Sequence, residues 1–132
     1  MALVSNGKTK SFKDLIVWQK AYDLATQIYK LTKSFPKDEQ YGLSQQIRRS
    51  ALSIPCNIAE GYGRQYNKEY KQFLFIAYGS LCELETQYLL SIDLAYTKRD
   101  ESVEKLMKEV GAMLYRILNP IRYPLSAIRQ NA

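Results

Sequence analysis

The sequence predicts an all-α fold, an antiparallel up-down-up-down four-helix bundle. Apolar residues recur at spacings of three and four in four long segments, short turns join these segments, and no segment alternates as a strand would. Short connections favour antiparallel neighbours. The 132 residues, 46% of them hydrophobic, suffice for one domain with its own core. We assign residues 13–128 to the bundle, 1–12 to a flexible basic arm and 129–132 to a tail.

The first helix is predicted from about Asp14 to Ser34 and the second from about Glu39 to Tyr62. Pro36 separates them, and Asp38 is the predicted N-cap of the second helix. The predicted core face of the first helix consists of Leu15, Trp18, Tyr22, Ala25 and Tyr29. That of the second helix consists of Leu43, Ile47, Ala51, Ile54 and Ile58.

The third helix is predicted to begin at Asn67, after the turn GYGRQYN, and to end at YTKRD. Asp100 or Ser102 starts the fourth helix, and Pro120 and Pro124 disturb its end. The core face of the third helix is predicted to hold Tyr70, Phe73, Leu74, Ala77, Leu81, Leu84, Tyr88 and Ile92. That of the fourth helix holds Val103, Leu106, Val110, Leu114, Ile117 and Ile121.

Apolar residues also lie outside these core faces. A single four-helix bundle needs only one apolar stripe per helix, so the extra stripes indicate a wider core or a subunit interface. In the first helix the extra stripe is Val17, Leu24 and Leu31. The predicted oligomer interface consists of Leu52, Cys56, Ala59, Phe75, Leu89 and Leu90. The 11 tyrosines suit half-buried contacts at such an interface.

Composition excludes several classes of function. The chain has no histidine, which is the commonest general base and a common metal ligand. We therefore expect no catalysis, no metal and no cofactor. No apolar run approaches the ~20 residues of a membrane span. Cys56 and Cys82 lie in helical segments without a secretory signal before them, which predicts free, buried thiols and a cytoplasmic protein.

A polar stripe runs down the second helix within the segment SIPCNIAEGYGR. Its members Ser53, Asn57 and Glu60 lie at helical spacing between Arg49 and Arg64. Pro55 removes a backbone donor and predicts a kink, which Ser53 and Asn57 can compensate by bonding freed backbone groups. Gly61 and Gly63 permit close approach of a neighbour. The stripe is either a structural seam or a recognition surface, and the sequence leaves both open.

Two segments carry a family resemblance: QIRRSALSIPCNIAEGYGR and the following KEYKQFLFIAYGSLCELETQ. They resemble the four-helix-bundle proteins encoded in intervening sequences of bacterial 23S ribosomal RNA genes. That family is similar in fold to the accessory proteins of diversity-generating retroelements, which form pentameric barrels and bind nucleic acid and a reverse transcriptase. The resemblance therefore implies a homopentamer with a role connected to nucleic acid.

The net charge of +6 favours acidic partners. Residues 1–36 and 98–132 carry most of the excess, while residues 67–97 are net negative. Candidate phosphate contacts are Lys13, Lys20, Arg48, Arg49, Arg64, Lys68 and Lys71. No motif with base-reading geometry is present, so binding of RNA or DNA is expected to be electrostatic and weakly sequence-specific.

Together these observations predict a non-catalytic, homo-oligomeric nucleic-acid-binding accessory protein, with a reverse transcriptase as a candidate partner. The alternative is a protein-interaction scaffold without a nucleic-acid ligand.

Overall fold

Four α-helices make up most of the computed structural model, which describes residues 10–64 and 67–119. They are α1 (Ile16–Leu31), α2 (Leu43–Gly63), α3 (Asn67–Asp93) and α4 (Glu101–Leu118). Short 3₁₀ turns at Phe12–Asp14, Thr32–Ser34 and Lys37–Glu39 precede α1 and connect it to α2. Within this described part, no helix has the length and apolarity needed to cross a membrane.

Consecutive helices run antiparallel, and α4 returns to pack against α1. Arg48, early in α2, donates from Nε to the hydroxyl of Thr32 at the end of α1 (2.7 Å). The side-chain nitrogen of Lys20, early in α1, lies 3.2 Å from a carboxylate oxygen of Glu109 in the middle of α4. The contacts agree with the predicted up-down-up-down bundle, in which α1 and α3 are diagonal to each other.

The predicted core faces of α2 and α4 are confirmed within the described residues, and that of α3 is confirmed except at Phe73, which is half-buried outside the core. Ile47, Ile54 and Ile58 are buried on α2, and Leu43 at its start is partly buried against the core. The buried residues of α3 and α4 include Leu74, Ala77, Leu81, Leu84, Tyr88, Val103, Leu106, Val110, Leu114 and Ile117. Pro120, Ile121 and Pro124 lie outside the described residues, as do residues 1–9 of the predicted arm and the tail at 129–132.

The predicted core face of α1 is wrong in part. Its core face is Val17, Ala21, Leu24 and Ile28, all 1% exposed or less, whereas Tyr22 is 57% exposed. Val17 and Leu24, assigned from the sequence to an interface stripe, are thus in the intrachain core. The physical reason is that α1 is apolar on two sides, and the bundle interior takes the aliphatic side while tyrosine hydroxyls stay near water.

The predicted N-cap of α4 is confirmed, and the predicted N-cap of α2 is wrong. Asp100 caps α4, because its carboxylate accepts the backbone N–H of Val103 at 3.1 Å. The predicted cap Asp38 instead lies inside the 3₁₀ turn Lys37–Glu39. The carboxylate of Glu39 replaces it by accepting the backbone N–H of Leu43 at 3.0 Å.

A buried tyrosine joins α3 to the start of α4. The Tyr88 hydroxyl accepts the backbone N–H of Asp100 (2.7 Å) and donates to a carboxylate oxygen of Glu104 (2.7 Å). Burial raises the pKa of Tyr88 to about 12. Arg99 forms two hydrogen bonds with Glu104, of 2.6 and 3.0 Å, and these lower the pKa of that carboxyl below its usual value. This network fixes where α4 begins.

The polar stripe of α2 forms a seam with α3, the seam cluster of Ser53, Asn57 and Ser80. The Asn57 amide donates to the Ser53 carbonyl (2.8 Å) and hydroxyl (2.9 Å), and the Ser80 hydroxyl donates to the Ser53 hydroxyl (2.8 Å). The helix is continuous through Pro55. Asn57 bonds the carbonyl of Ser53, whereas the missing N–H of Pro55 frees the carbonyl of Ala51, so the predicted compensation by Asn57 is wrong.

Gly61 lets α2 and α3 approach closely next to this seam. A Cβ atom at Gly61 would lie 3.2 Å from Cβ of Phe73 and 3.3 Å from the carbonyl oxygen of Tyr70. These distances are tighter than ordinary van der Waals contact, so a larger residue would have to displace Phe73 or Tyr70 by a few tenths of an ångström. At Gly63 nothing lies within 4 Å of the same point, and the predicted close approach is absent there.

Helix α3 ends in a left-handed turn made without glycine. Ala95 has φ 62°, a region that L-residues rarely adopt. Around it the N–H of Tyr96 bonds the carbonyl of Ser91 at 2.9 Å, which is the long bond of a Schellman motif. Alanine carries a steric cost in this turn that glycine would not.

The seam cluster predicts that Asn57→Ala lowers the free energy of unfolding by about 1 kcal/mol, since the variant cannot form the partly buried hydrogen bonds to Ser53. Glu60→Ala is the matched control. The Glu60–Arg64 pair (3.1 Å) is exposed, so its removal costs at most about 0.5 kcal/mol. Urea unfolding followed by circular dichroism measures both. Equal costs for the two variants would contradict the structural role of Asn57.

The left-handed turn predicts that Ala95→Gly raises the free energy of unfolding by about 0.5–1 kcal/mol, because the Cβ clash at positive φ disappears. Ala112→Gly, at an exposed position inside α4, should lower it by about 1 kcal/mol. Thermal unfolding of the two variants beside the parent gives the signs. A destabilised Ala95→Gly variant would show that the turn is not strained.

Candidate nucleic-acid interface

One end of the bundle collects basic side chains, and we call it the basic end. The 3₁₀ turn before α1, the end of α2, the start of α3 and the last turn of α4 lie there because consecutive helices are antiparallel. The 3₁₀ turn also contacts α2 directly. The basic end consists of Lys10, Lys13, Arg64, Lys68, Lys71 and Arg116.

Four of the seven predicted phosphate contacts lie at the basic end: Lys13, Arg64, Lys68 and Lys71. Lys13 and Lys68 are exposed, and Lys71 is half-buried. Arg49 is exposed in the first third of α2, away from this group. The fold therefore brings together the four residues at the helix ends.

The other two predicted contacts, Lys20 and Arg48, are held by bonds within the chain. Lys20 forms the ion pair with Glu109 that ties α1 to α4. Arg48, besides its bond to Thr32, places its guanidinium carbon 5.2 Å from the ring centroid of Tyr29. Because both side chains already bond groups of this chain, they are less available to bind a phosphate.

The acidic side chains at the basic end are Asp14, Glu60 and Glu69, half as many as the basic ones, and Glu69 is exposed in the first turn of α3. The Asp14 carboxylate accepts the backbone N–H groups of Lys10 and Ser11. Glu60 pairs with Arg64, whose guanidinium also lies 5.5 Å from the ring centroid of Phe73. At the opposite end acidic residues offset the basic ones: Asp38, Glu39, Asp100, Glu101 and Glu104 lie among Lys33, Lys37, Lys98 and Arg99. The positive potential is thus concentrated at one end.

Sequence reasoning missed two members of the basic end. Lys10 lay in the predicted arm, and its backbone is fixed by the bond to Asp14. Arg116 lies in the last turn of α4 and is exposed. The positive balance of residues 98–132 was the available signal for Arg116, but only the antiparallel path of α4 shows which end of the bundle it reaches.

The predicted oligomer interface is open to solvent in the single chain. Phe75 is 59% exposed and Leu89 56%, and Leu52 and Leu90 are each 46% exposed. Ala59 is half-buried. Cys56 and Cys82 are free as predicted, but both are exposed rather than buried, because they lie on the outer faces of α2 and α3.

A cavity of about 310 Å³ beside Tyr88 and Glu104 is an alternative site. Its two central polar groups are already bonded to each other, and Arg99 occupies the remaining carboxylate oxygen. Across residues 10–64 and 67–119, no three Cys, Asp or Glu side chains come close enough to hold a metal ion. The basic end is therefore the better candidate.

Comparison with known proteins places the chain in a family. The model of the 23S rRNA-intervening sequence protein family matches residues 13–116. A crystal structure of a protein with unknown function, from the S23 ribosomal protein family of Bacteroides thetaiotaomicron VPI-5482, is similar with a TM-score of 0.67 and 28% sequence identity. That match covers 78% of this chain and 98% of the other. No curated protein matches. The chain belongs to the 23S rRNA-intervening sequence protein family.

Proposed function

We propose that this protein is a non-catalytic, homo-oligomeric accessory protein that binds nucleic acid at its basic end. The observation that carries the proposal is the convergence of six basic side chains from all four helices or their flanking turns on that end. Phosphate groups are the natural ligands of such a cluster, since each lysine or arginine that contacts one releases a condensed counterion.

The mode of binding follows from what surrounds these side chains. They lie at helix ends and on flanking turns. Contacts to phosphates position a protein without reading sequence. RNA and DNA should therefore both bind, with little dependence on sequence.

Exposed apolar side chains support the homo-oligomeric part of the proposal. Leu52, Phe75, Leu89 and Leu90 expose large apolar side chains that a monomer would leave in water. An oligomer repeats the basic end once per subunit, so modest contacts add through multivalency. The homopentamer and the reverse transcriptase partner rest on the sequence resemblance alone.

The same apolar residues favour a second candidate function, a protein-interaction scaffold without a nucleic-acid ligand. In that case the basic end serves only solubility. The two functions differ in whether nucleic acid binds at low salt and whether binding depends on this end of the bundle.

Nucleic-acid binding should depend on salt and on the basic end. We expect RNA and DNA oligonucleotides of unrelated sequence to bind at low salt and to dissociate as salt rises. The variant Lys13→Gln with Lys68→Gln and Lys71→Gln should bind more weakly. Its slope of log affinity against log salt should fall by about 2, at ~0.7 for each phosphate that the variant no longer neutralises. Fluorescence anisotropy measures both quantities.

The matched control neutralises three exposed lysines elsewhere: Lys37→Gln, Lys98→Gln and Lys105→Gln. It removes the same net charge, so equal weakening in both variants would mean that total charge, and not the basic end, determines binding. Absence of binding by the parent at low salt would favour the scaffold.

Self-association is expected at micromolar concentration, with light scattering giving a mass of several 15.3 kDa chains, five by the resemblance. Leu90→Glu should reduce this mass, because a charge would then be buried at the interface. Ala112→Glu places the same charge at an exposed position of α4 and should leave the mass unchanged. A monomeric parent would refute the proposed assembly.

A further inference from the structure

Aromatic side chains form a row along the side of α1 that faces α2. The ring centroids of Phe12 and Trp18 lie 5.2 Å apart, and those of Trp18 and Tyr22 lie 5.0 Å apart with the rings stacked. Tyr29 continues the row two turns further along the helix, and the guanidinium of Arg48 on α2 lies against its ring. We call these four rings the aromatic row. It begins at the basic end, because Phe12 opens the 3₁₀ turn before α1.

A groove between α1 and α2 lies beside the far half of this row. Its volume is about 460 Å³, and we call it the α1–α2 groove. Tyr22 and Tyr29 lie seven residues apart on its α1 side, which separates them by about 10 Å along the helix axis. Ala25, which is buried, lies between them, and Leu52 and Pro55 form the α2 side. The two tyrosines, 57% and 39% exposed, therefore flank a space with an apolar floor.

The charge around this groove is positive. Lys30 and Lys33 line it, and none of the described residues that line it is acidic. The acidic residue of α1, Asp23, does not line the groove, and its carboxylate accepts a hydrogen bond from the amide of Gln27 at 3.2 Å. The groove thus combines exposed aromatic rings with unopposed cations.

A ligand that matches both features has planar rings and negative charge. Single-stranded nucleic acid has both, because its unpaired bases expose their faces and phosphates alternate with them along the strand. In a duplex the bases are stacked on one another, so a duplex offers this groove only its phosphates. Stacking on aromatic side chains accepts any base, which agrees with the weak sequence dependence proposed for the basic end.

We infer that the α1–α2 groove binds a single-stranded segment of RNA or DNA, with bases stacked on Tyr22 and Tyr29 and the adjacent phosphates at Lys30 and Lys33. The inference rests on the nucleic-acid binding proposed above and names the form of nucleic acid that the protein takes. Because the aromatic row joins the groove to the basic end, one strand can contact both. A single strand should therefore bind more tightly than a duplex of the same sequence.

Removing the two rings without changing the charge tests this site. The groove variant is Tyr22→Leu with Tyr29→Leu, and the control is Tyr41→Leu with Tyr115→Leu, at exposed tyrosines outside the groove. By fluorescence anisotropy at low salt, the parent and the control should bind a single-stranded oligonucleotide at least about tenfold more tightly than the same sequence as a duplex. The groove variant should lose this preference and keep the parent's affinity for the duplex, because it retains every lysine.

Removing the charge of the groove is an independent test. Lys30→Gln with Lys33→Gln should lower the slope of log affinity against log salt for the single strand by about 1.4, at ~0.7 for each phosphate no longer neutralised. The slope for the duplex should not change. Lys37→Gln with Lys98→Gln removes the same charge at exposed positions elsewhere and should leave both slopes as they are in the parent.

Trp18 reports on the site without any substitution. It is the one tryptophan of the chain and its ring stacks on Tyr22, so a base that enters the groove should change its fluorescence. A single-stranded oligonucleotide should produce this change. Inorganic polyphosphate, which has the charge but no bases, should bind without producing it.

Other results would overturn the inference. Equal affinity for single strand and duplex, or an equal loss in the groove variant and its control, would exclude the groove and leave the basic end as the binding surface. Failure of the parent to bind either nucleic acid would refute the proposed function as well, so the two failures are distinguishable. A lower mass of the groove variant in light scattering, with helical circular dichroism intact, would show that the groove is a contact between subunits instead.

Discussion

The close packing of α2 against α3 is the constraint on which the rest of this structure depends. The helices approach closely at Gly61, where a Cβ would lie 3.2 Å from Cβ of Phe73 and 3.3 Å from the carbonyl oxygen of Tyr70. It also involves the seam cluster, in which Ser80 of α3 bonds Ser53 of α2 and Asn57 bonds Ser53 within α2. Since both features lie on the inner side of α2 and α3, the packing directs the apolar outer side of α3 to solvent.

Charged side chains divide between two tasks in this bundle. Lys20, Arg48 and Arg99 tie helices or helix ends together through Glu109, Thr32 and Glu104. The lysines of the basic end have no such role in the described contacts, and their charge is available to a ligand. Sequence position alone does not separate the two groups, because both consist of the same residue types at helical spacing.

The sequence predicted the helices and three of the four core faces. Periodicity sufficed for α2 to α4, where aliphatic residues occupy one side at regular spacing. It failed for α1, because Tyr22 and Tyr29 compete with Val17 and Leu24 for the core, and which side turns inward depends on the space left by the other helices. Four of the seven proposed phosphate contacts converge at the basic end. Lys20 and Arg48 do not, since their partners Glu109 and Thr32 are distant in the sequence.

The sequence by itself determined the all-α class, the helix order, the excess of positive charge and the absence of histidine. These properties depend on local periodicity and composition, which require no knowledge of neighbours. Only the tertiary structure decided that Lys10 and Arg116 share an end with Lys13 and Lys68, and that the tyrosines of α1 line a groove. Those placements depend on antiparallel packing, which brings together residues that are far apart in the chain.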